Sequence, residues 1–328
     1  MKKYIILGNG TGWCYNCWKS VIDNKRIRFI NEMMPTSKKG ILKAICFNHN
    51  RFRLPLLGIR TAPFLRIWYK DIERTLNIDV NSETFIIIYD WNFLTKDFAF
   101  LDYIRSKYEN VKFVYLFSNI IKVTGATYYG ILKDIKSKFD AVFAFDRRDA
   151  EKFNFEHNYL IYAANNSITS SESYSTDLFY VGRAKDRYKM LIEIFEKAQS
   201  EGLKCDFNIV GVPEKKQMHK GIINYSPLPY KEVLNRIMSS RCLVDAIQGN
   251  STAMTIKVCE SVIFNKKLIT TNENIKLEPF YNKDRILIYS ENHSLREFVY
   301  GDYMSYTEED KFLFSPEHLF DEINKVLA

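Results

Sequence analysis

The sequence predicts an α/β protein of two domains, each a parallel sheet wound with helices. Three observations carry this. At 328 residues the chain is longer than one ordinary core supports and suits two domains of about 150 residues each. Short runs rich in β-branched and aromatic residues alternate with runs of helical apolar spacing, the pattern of βαβ units. The alternation breaks once, at Ala163–Asp177 (AANNSITSSESYSTD), and then restarts. That polar, Ser/Thr-rich stretch reads as an inter-domain linker. The expected boundaries are 1–164, a linker at 165–177, 178–314, and a terminal helix at 315–328.

In the first half the strand candidates are Tyr4–Leu7, Ile27–Ile30, Thr84–Tyr89, Lys112–Leu116 and Ala141–Phe145. Phe98–Lys107 and Tyr128–Lys138 lie between the last three and carry helical spacing. In the second half the order is strand Asp177–Val181, helix Tyr188–Ser200, strands Asp206–Val210 and Ile222–Tyr225, and helix Tyr230–Met238. Strand Cys242–Ala246, helix Thr252–Phe264 and strands Lys267–Thr271 and Arg285–Tyr289 follow. The chain ends on Ser315-Pro316-Glu317 and an apolar-periodic run to Leu327. Ser as N-cap and Pro in the first turn suit a helix start.

Hydrophobic content of 46% and charged content of 26% are those of an ordinary globular protein. The apolar run Tyr4–Leu7 is too short for a signal-peptide core, and no run approaches a membrane span of about 20 residues. The expected location is the cytoplasm. Six scattered cysteines in a chain of this size are no disulfide framework and fit a reducing compartment. The net charge of +8 is concentrated: Asn24–Arg74 holds twelve Lys/Arg against three Asp/Glu, a net +9, and the remainder is close to neutral. The same segment carries Phe47, Phe52, Phe64, Leu65, Trp68 and Tyr69. A basic stretch interleaved with aromatics suits an anionic membrane surface as well as a solvated domain face. It contains no recognised nucleic-acid motif, so nucleic acid is not an expected partner.

The stretch after the first strand, Gly8-Asn9-Gly10-Thr11-Gly12-Trp13-Cys14-Tyr15-Asn16-Cys17, invites three readings. A dinucleotide fingerprint needs a third glycine where Trp13 stands, though Glu32 lies where a ribose-binding acid would. Cys14-x-x-Cys17 has redox spacing, but the surrounding pattern is not that of a small thiol oxidoreductase. Zinc needs two further ligands, and Cys46 and His49 are not a standard pair. The reading adopted is a βα loop at the ligand edge of a parallel sheet.

Asn250–Asn272 (NSTAMTIKVCESVIFNKKLITTN) carries more chemistry. Ser251 and Thr252 are good N-caps, and N–H groups at such a helix start can hold phosphate. Glu260 lies eight residues after Thr252, on nearly the same helical face, where a carboxylate could reach a ribose diol. Taken by itself it reads equally as a solvated or salt-bridged helix glutamate.

This segment resembles the donor-site segment of GT-B glycosyltransferases of bacterial capsule and lipopolysaccharide synthesis. Those run Thr-x-Arg-x-x-Glu-Ala-Leu, a small-residue turn, and Lys-Lys-Leu-Ile-Thr-Thr-Asn. Thr255, Lys257 and Glu260 occupy the first part, with Lys257 where Arg is usual, and Lys266–Asn272 fills the second without a gap. Ser251 stands where Gln is common. Phe179–Arg187 (FYVGRAKDR) is similar to the strand and basic loop of the same group, and Phe139–Asp146 with Asp149-Ala150 to the end of its first domain. Ser118–Ile121 lies where Trp-Asn-Pro-aliphatic is usual. The resemblance runs from about Phe113 to Tyr289.

The resemblance implies an α/β fold of GT-B type, two Rossmann-like domains facing a cleft, and leaves open that the terminal helix crosses back to the first. It implies transfer of a sugar from a nucleotide-sugar donor to a glycan or lipid-linked acceptor in surface-polysaccharide or lipopolysaccharide synthesis. A lipid-linked acceptor would bring the enzyme to the inner leaflet of the plasma membrane. Negative charge grows on the departing nucleotide, and fixed cations and N–H dipoles stabilise it. The residues expected to hold the donor are Gly182, Arg183, Lys185, Arg187, Ser251, Thr252, Thr255, Lys257 and Glu260. Asp90, after the third strand, is a candidate general base in the acceptor domain, and equally a turn cap. No Asp-x-Asp run occurs, so metal-independent transfer without a cofactor is expected. A non-catalytic sugar-nucleotide or polysaccharide binder and a nicotinamide-dependent oxidoreductase remain as alternatives.

Overall fold

The computed structural model describes residues 1–8, 17–30, 69–89, 98–121, 132, 134–163, 174–249 and 252–328. They form two compact units, Met1–Ala163 with Pro316–Ala328, and Ala164–Ser315. Asp90, Ser251, the loop 9–16 and most of the basic aromatic segment (31–68) lie outside the described residues.

The first unit holds β1 (Lys2–Leu7), β2 (Ile27–Ile30), α1 (Tyr69–Leu76), β3 (Glu83–Tyr89), α2 (Ala99–Arg105), β4 (Val111–Phe117), β5 (Ala141–Ala144), α3 (Arg147–Phe153) and β6 (Glu156–His157). Its strands make one parallel sheet in the order β2-β1-β3-β4-β5-β6. The central strands β3 and β4 are covered on both faces, which is why they read as nearly continuous apolar runs rather than alternating ones. One face packs Ile86, Ile88, Phe113 and Tyr115 against α1 and α2. The other packs Phe85, Ile87 and Val114 with Trp18 and the terminal helix. That helix, here α9 (Pro316–Val326), starts at the expected proline. Phe320 stacks on Tyr4 with ring centroids 4.1 Å apart, and Asn324 Oδ1 accepts from Lys2 Nζ at 2.8 Å.

The second unit holds β7 (Thr176–Arg183), α4 (Tyr188–Ser200), β8 (Cys205–Val210), α5 (Tyr230–Met238), β9 (Ser240–Asp245), α6 (Ile256–Ile263), β10 (Lys267–Thr270), β11 (Ile286–Ile288), α7 (Leu295–Tyr300) and α8 (Glu308–Phe312). Its parallel sheet runs β11-β10-β9-β7-β8. Ile222–Tyr225, expected as a strand, makes only isolated bridges, one of them Asn208 to Asn224. Pro227 and Pro229 follow immediately and have no N–H to extend a ladder.

From β7 the chain moves outward to β8, then returns to place β9 on the other side. The strand order therefore reverses between β7 and β9. In open α/β sheets the crevice at the carboxyl ends of such a pair is where ligands bind.

Candidate functional site

Gly182 and Arg183 end β7, Asp245 ends β9 and Ala246 follows it, so one side of this crevice comes from the basic segment singled out above and the other from residues just before Asn250–Asn272. Arg187 bridges them. Its Nη1 donates to Ala246 O at 2.6 Å, while Nε and Nη2 donate to Arg183 O at 3.2 and 3.0 Å. Arg183 and Lys185 are exposed at the same edge, and Lys185 holds a left-handed backbone (φ 46°) in the tight turn before α4.

Gly182 is small because of what lies beneath it. A Cβ there would stand 2.8 Å from Tyr180 Oη and 3.2 Å from its Cζ. Tyr180 is buried with its ring against Phe207, and its hydroxyl meets no partner within hydrogen-bonding geometry among the described residues. Burial pushes that phenol up to about 12.

The expected helix over Thr252–Phe264 begins later, at Ile256, and the reason is visible in the side chains. Thr255 is the N-cap: its Oγ1 accepts from Lys257 N at 3.1 Å and donates to Asp245 Oδ1 at 2.8 Å. Thr252 is held by its carbonyl, which accepts from Asn272 Nδ2. Residues 252–255 are thus tied to the strand ends instead of winding into the helix.

Asp245 is the functional candidate that sequence reading passed over. It is fully buried at the end of β9 and accepts from Thr255 Oγ1 and from Thr270 Oγ1 at 3.0 Å. Burial raises its carboxyl and the two threonine hydroxyls oppose that rise. The signal was available: an acid closing the apolar strand CLVDA is costly unless partnered.

Lys257 and Glu260 form a buried ion pair with Nζ to Oε2 at 2.6 Å. Glu260 is not the open-face carboxylate that helical spacing suggested. Its exposure is 0%, and Oε1 has no partner among the described residues. Burial raises its carboxyl above the usual range, against the pull of Lys257. The structure therefore gathers Gly182, Arg187, Thr252, Thr255, Lys257 and Glu260 around one sheet edge. Within that group Arg187 binds backbone carbonyls and Lys257 binds Glu260.

Two pieces of the first-domain resemblance also meet. Asp146 caps α3, accepting from Asp149 N at 2.9 Å, and Asp149 Oδ2 accepts from Ile121 N at 2.7 Å. Among the described residues no group of three or more His, Cys, Asp or Glu could hold a metal, and no helix is long and apolar enough to cross a membrane.

No family model matches the sequence, and no curated protein matches it. Solved structures do. The chain is similar to AviGT4, a glycosyltransferase involved in avilamycin A biosynthesis (TM-score 0.58, 9% identity, 99% of this chain and 96% of that one). It is similar to sucrose-phosphate synthase from Thermosynechococcus elongatus (0.56, 8%, 99% and 98%). It is also similar to S. aureus TarM, whose structure holds fondaparinux, alpha-GlcNAc-glycerol and UDP (0.52, 11%, 80% of this chain). The chain spans 59% of the TarM chain's length. These neighbours are GT-B glycosyltransferases, and at such low identities the likeness is one of fold: this chain has the two-domain α/β fold of GT-B type.

Proposed function

We propose that the protein is a glycosyltransferase that takes its sugar from a nucleotide-sugar donor bound at the β7/β9 strand ends of the second unit. The observation that carries this is Glu260 Oε1, a buried carboxylate oxygen with no donor, beside a switch point lined by backbone and cations. A ribose hydroxyl is a donor. Lys257 opposes the rise that burial imposes on this carboxyl, and a charge-assisted bond to it is stronger than a neutral one. Gly182, Arg183, Lys185, Ser251, Thr252 and Thr255 contribute N–H groups and charge to the diphosphate, with Arg187 holding the two sides of the crevice together. The TarM complex, which holds UDP and sugars, supports a donor of this class.

The finer reading follows the sequence resemblance. The acceptor, a glycan or a lipid-linked one, binds the first domain, with Asp90 as candidate base, and the pathway is surface-polysaccharide or lipopolysaccharide assembly. Transfer needs no metal, and the basic segment Asn24–Arg74 docks the enzyme on the anionic inner leaflet. A thermal-shift panel of UDP-, GDP-, CMP- and dTDP-sugars against NAD(H) tests the donor. One nucleotide class should stabilise the protein and NAD(H) should not. Release of free nucleotide only when an acceptor is added separates an enzyme from a binder. Stabilisation by NAD(H) alone would sink the reading.

A further inference from the structure

The lysines of the Lys-Lys-Leu-Ile-Thr-Thr-Asn run do not reach the donor edge. They lie where the strands begin, at the opposite edge of the five-stranded sheet. Lys266 Nζ donates to Met238 O and Ser240 O at 2.8 and 2.9 Å, and Lys267 Nζ to Phe298 O and to Gly301 O at 2.5 Å. Both are buried. They cap the carbonyl ends of α5 and α7, which otherwise present negative charge to this edge.

Beside them opens a cavity of about 240 Å³ lined by Tyr174, Arg241, Lys267, Tyr300, Asp302 and Tyr303. Arg241 is set apart from the lysines by how it is held. Its guanidinium lies 4.7 and 5.0 Å from the ring centroids of Tyr174 and Tyr300. Its Nε faces Asp177 Oδ1 at 3.4 Å. Asp177 is buried and fixed by Tyr300 Oη and Lys204 N, both donating at 2.9 Å. Neither Nη of Arg241 makes a hydrogen bond among the described residues. The aromatic contacts and the acid fix the guanidinium and leave its outer fork unused, the geometry that grips an oxyanion in two places. The ordering cost of such a fork is already met in the folded protein.

We propose that this cavity is a second ligand site, distinct from the donor crevice, for a monosaccharide-sized polyol bearing a carboxylate or phosphate. The oxyanion pairs with the Arg241 fork. Hydroxyls donate to Asp302 and meet the tyrosine hydroxyls. The lysine caps remove the repulsion that two helix C-termini would exert on an anion. The volume of about 240 Å³ is below that of ordinary ligand pockets, about 300–1,000 Å³, and matches a monosaccharide-sized ligand. The site does not depend on the donor-site reading.

Isothermal titration of the full chain with glucuronate, glucose 6-phosphate, inorganic phosphate and glucose tests it. Glucuronate or glucose 6-phosphate should bind saturably, whichever wins naming the oxyanion, with phosphate weaker and glucose undetected. Arg241→Ala should weaken binding about 10- to 100-fold, and Arg241→Lys, which keeps charge without the fork, should not restore it. Asp302→Ala, an exposed change that leaves packing alone, should weaken the sugar acid but not phosphate. The proposal is overturned by no saturable binding of either acid up to about 20 mM. It is equally overturned by unchanged binding in Arg241→Ala or by phosphate matching the sugar phosphate.

Discussion

Removing Lys257 is the sharpest perturbation of the proposed donor crevice. Glu260 is wholly buried, its Oε2 accepts from Lys257 Nζ at 2.6 Å, and its Oε1 has no partner among the described residues. Lys257→Met keeps the length of the side chain and deletes the charge and the bond. A buried acid left without its partner typically costs about 3–5 kcal/mol. For a unit of this size that is a fall in Tm of about 6–20 °C. The loss should depend on pH. Burial already holds the Glu260 carboxyl above its ordinary value, and Lys257 is what restrains the rise. A carboxyl raised in the folded state binds protons more readily folded than unfolded, so stability is highest below the ordinary carboxylate range and falls as pH rises towards the folded value. Without Lys257 that window extends upward. The variant should therefore lie closest to the parent near pH 5 and furthest from it near pH 8. Lys257→Met with Glu260→Leu removes the stranded charge and should recover most of the stability, since apolar replacement of a whole buried pair is often neutral or better. The assay is urea unfolding at both pH values, with nucleotide affinity measured on the folded double variant. A single variant that loses under about 1 kcal/mol, or loses equally at both pH values, refutes the buried-pair energetics. A stable double variant that binds nucleotide like the parent refutes the role given to Glu260.

Gly182→Ala sets a methyl 2.8 Å from Tyr180 Oη and should cost about 1–3 kcal/mol in urea unfolding, with less lost in a Tyr180→Phe background. Tyr180→Phe alone should be neutral or stabilising, because it deletes a buried hydroxyl with no partner. Cys14→Ser with Cys17→Ser should leave metal content unchanged; Cys17 is buried in the first-unit core, and stoichiometric zinc lost in this pair would reverse the packing reading. Reversing Lys38, Lys39, Arg51 and Arg53 to Glu should abolish binding to anionic liposomes at low salt while sparing nucleotide binding, and a parent protein that ignores such liposomes points to a soluble acceptor.

The sheets were legible because burial on both faces writes itself as unbroken apolar runs. Ile27–Ile30, Tyr188–Ser200 and Tyr230–Met238 are read from the sequence to the residue, and the ends of most other strands to within one or two. What the sequence hid were tertiary claims on local structure. The helix after Thr252 starts four residues late because Thr255 and Thr252 are held by Asp245 and Asn272, which are distant in sequence. Charge misled in a related way. Arg187 looks like a ligand-binding cation, yet it donates to backbone carbonyls in the folded chain, as do the motif lysines Lys266 and Lys267. A sequence shows that a cation is present but not which carbonyls will be left open when helices end nearby.

Asp245 and Glu260 pose the opposite problem, since neither is needed to hold the sheet. A strand end closed by an apolar residue, and a helix face carrying leucine, would pack at least as well and avoid two desolvated carboxylates. Both acids nevertheless lie in one short segment beside the reversal of strand order. Asp245 fixes the N-cap of α6 and the end of β10, and so fixes the backbone on one side of the crevice. Lys257 and Glu260 leave an acceptor oxygen unspent on the same helix. A structural role accounts for the first acid through its two threonines, but it leaves the second with half its hydrogen-bonding capacity empty in a place where water is excluded. On the proposed donor-site reading a ligand hydroxyl would supply that missing donor, and the energetic cost of Glu260 would become intelligible when the crevice is occupied.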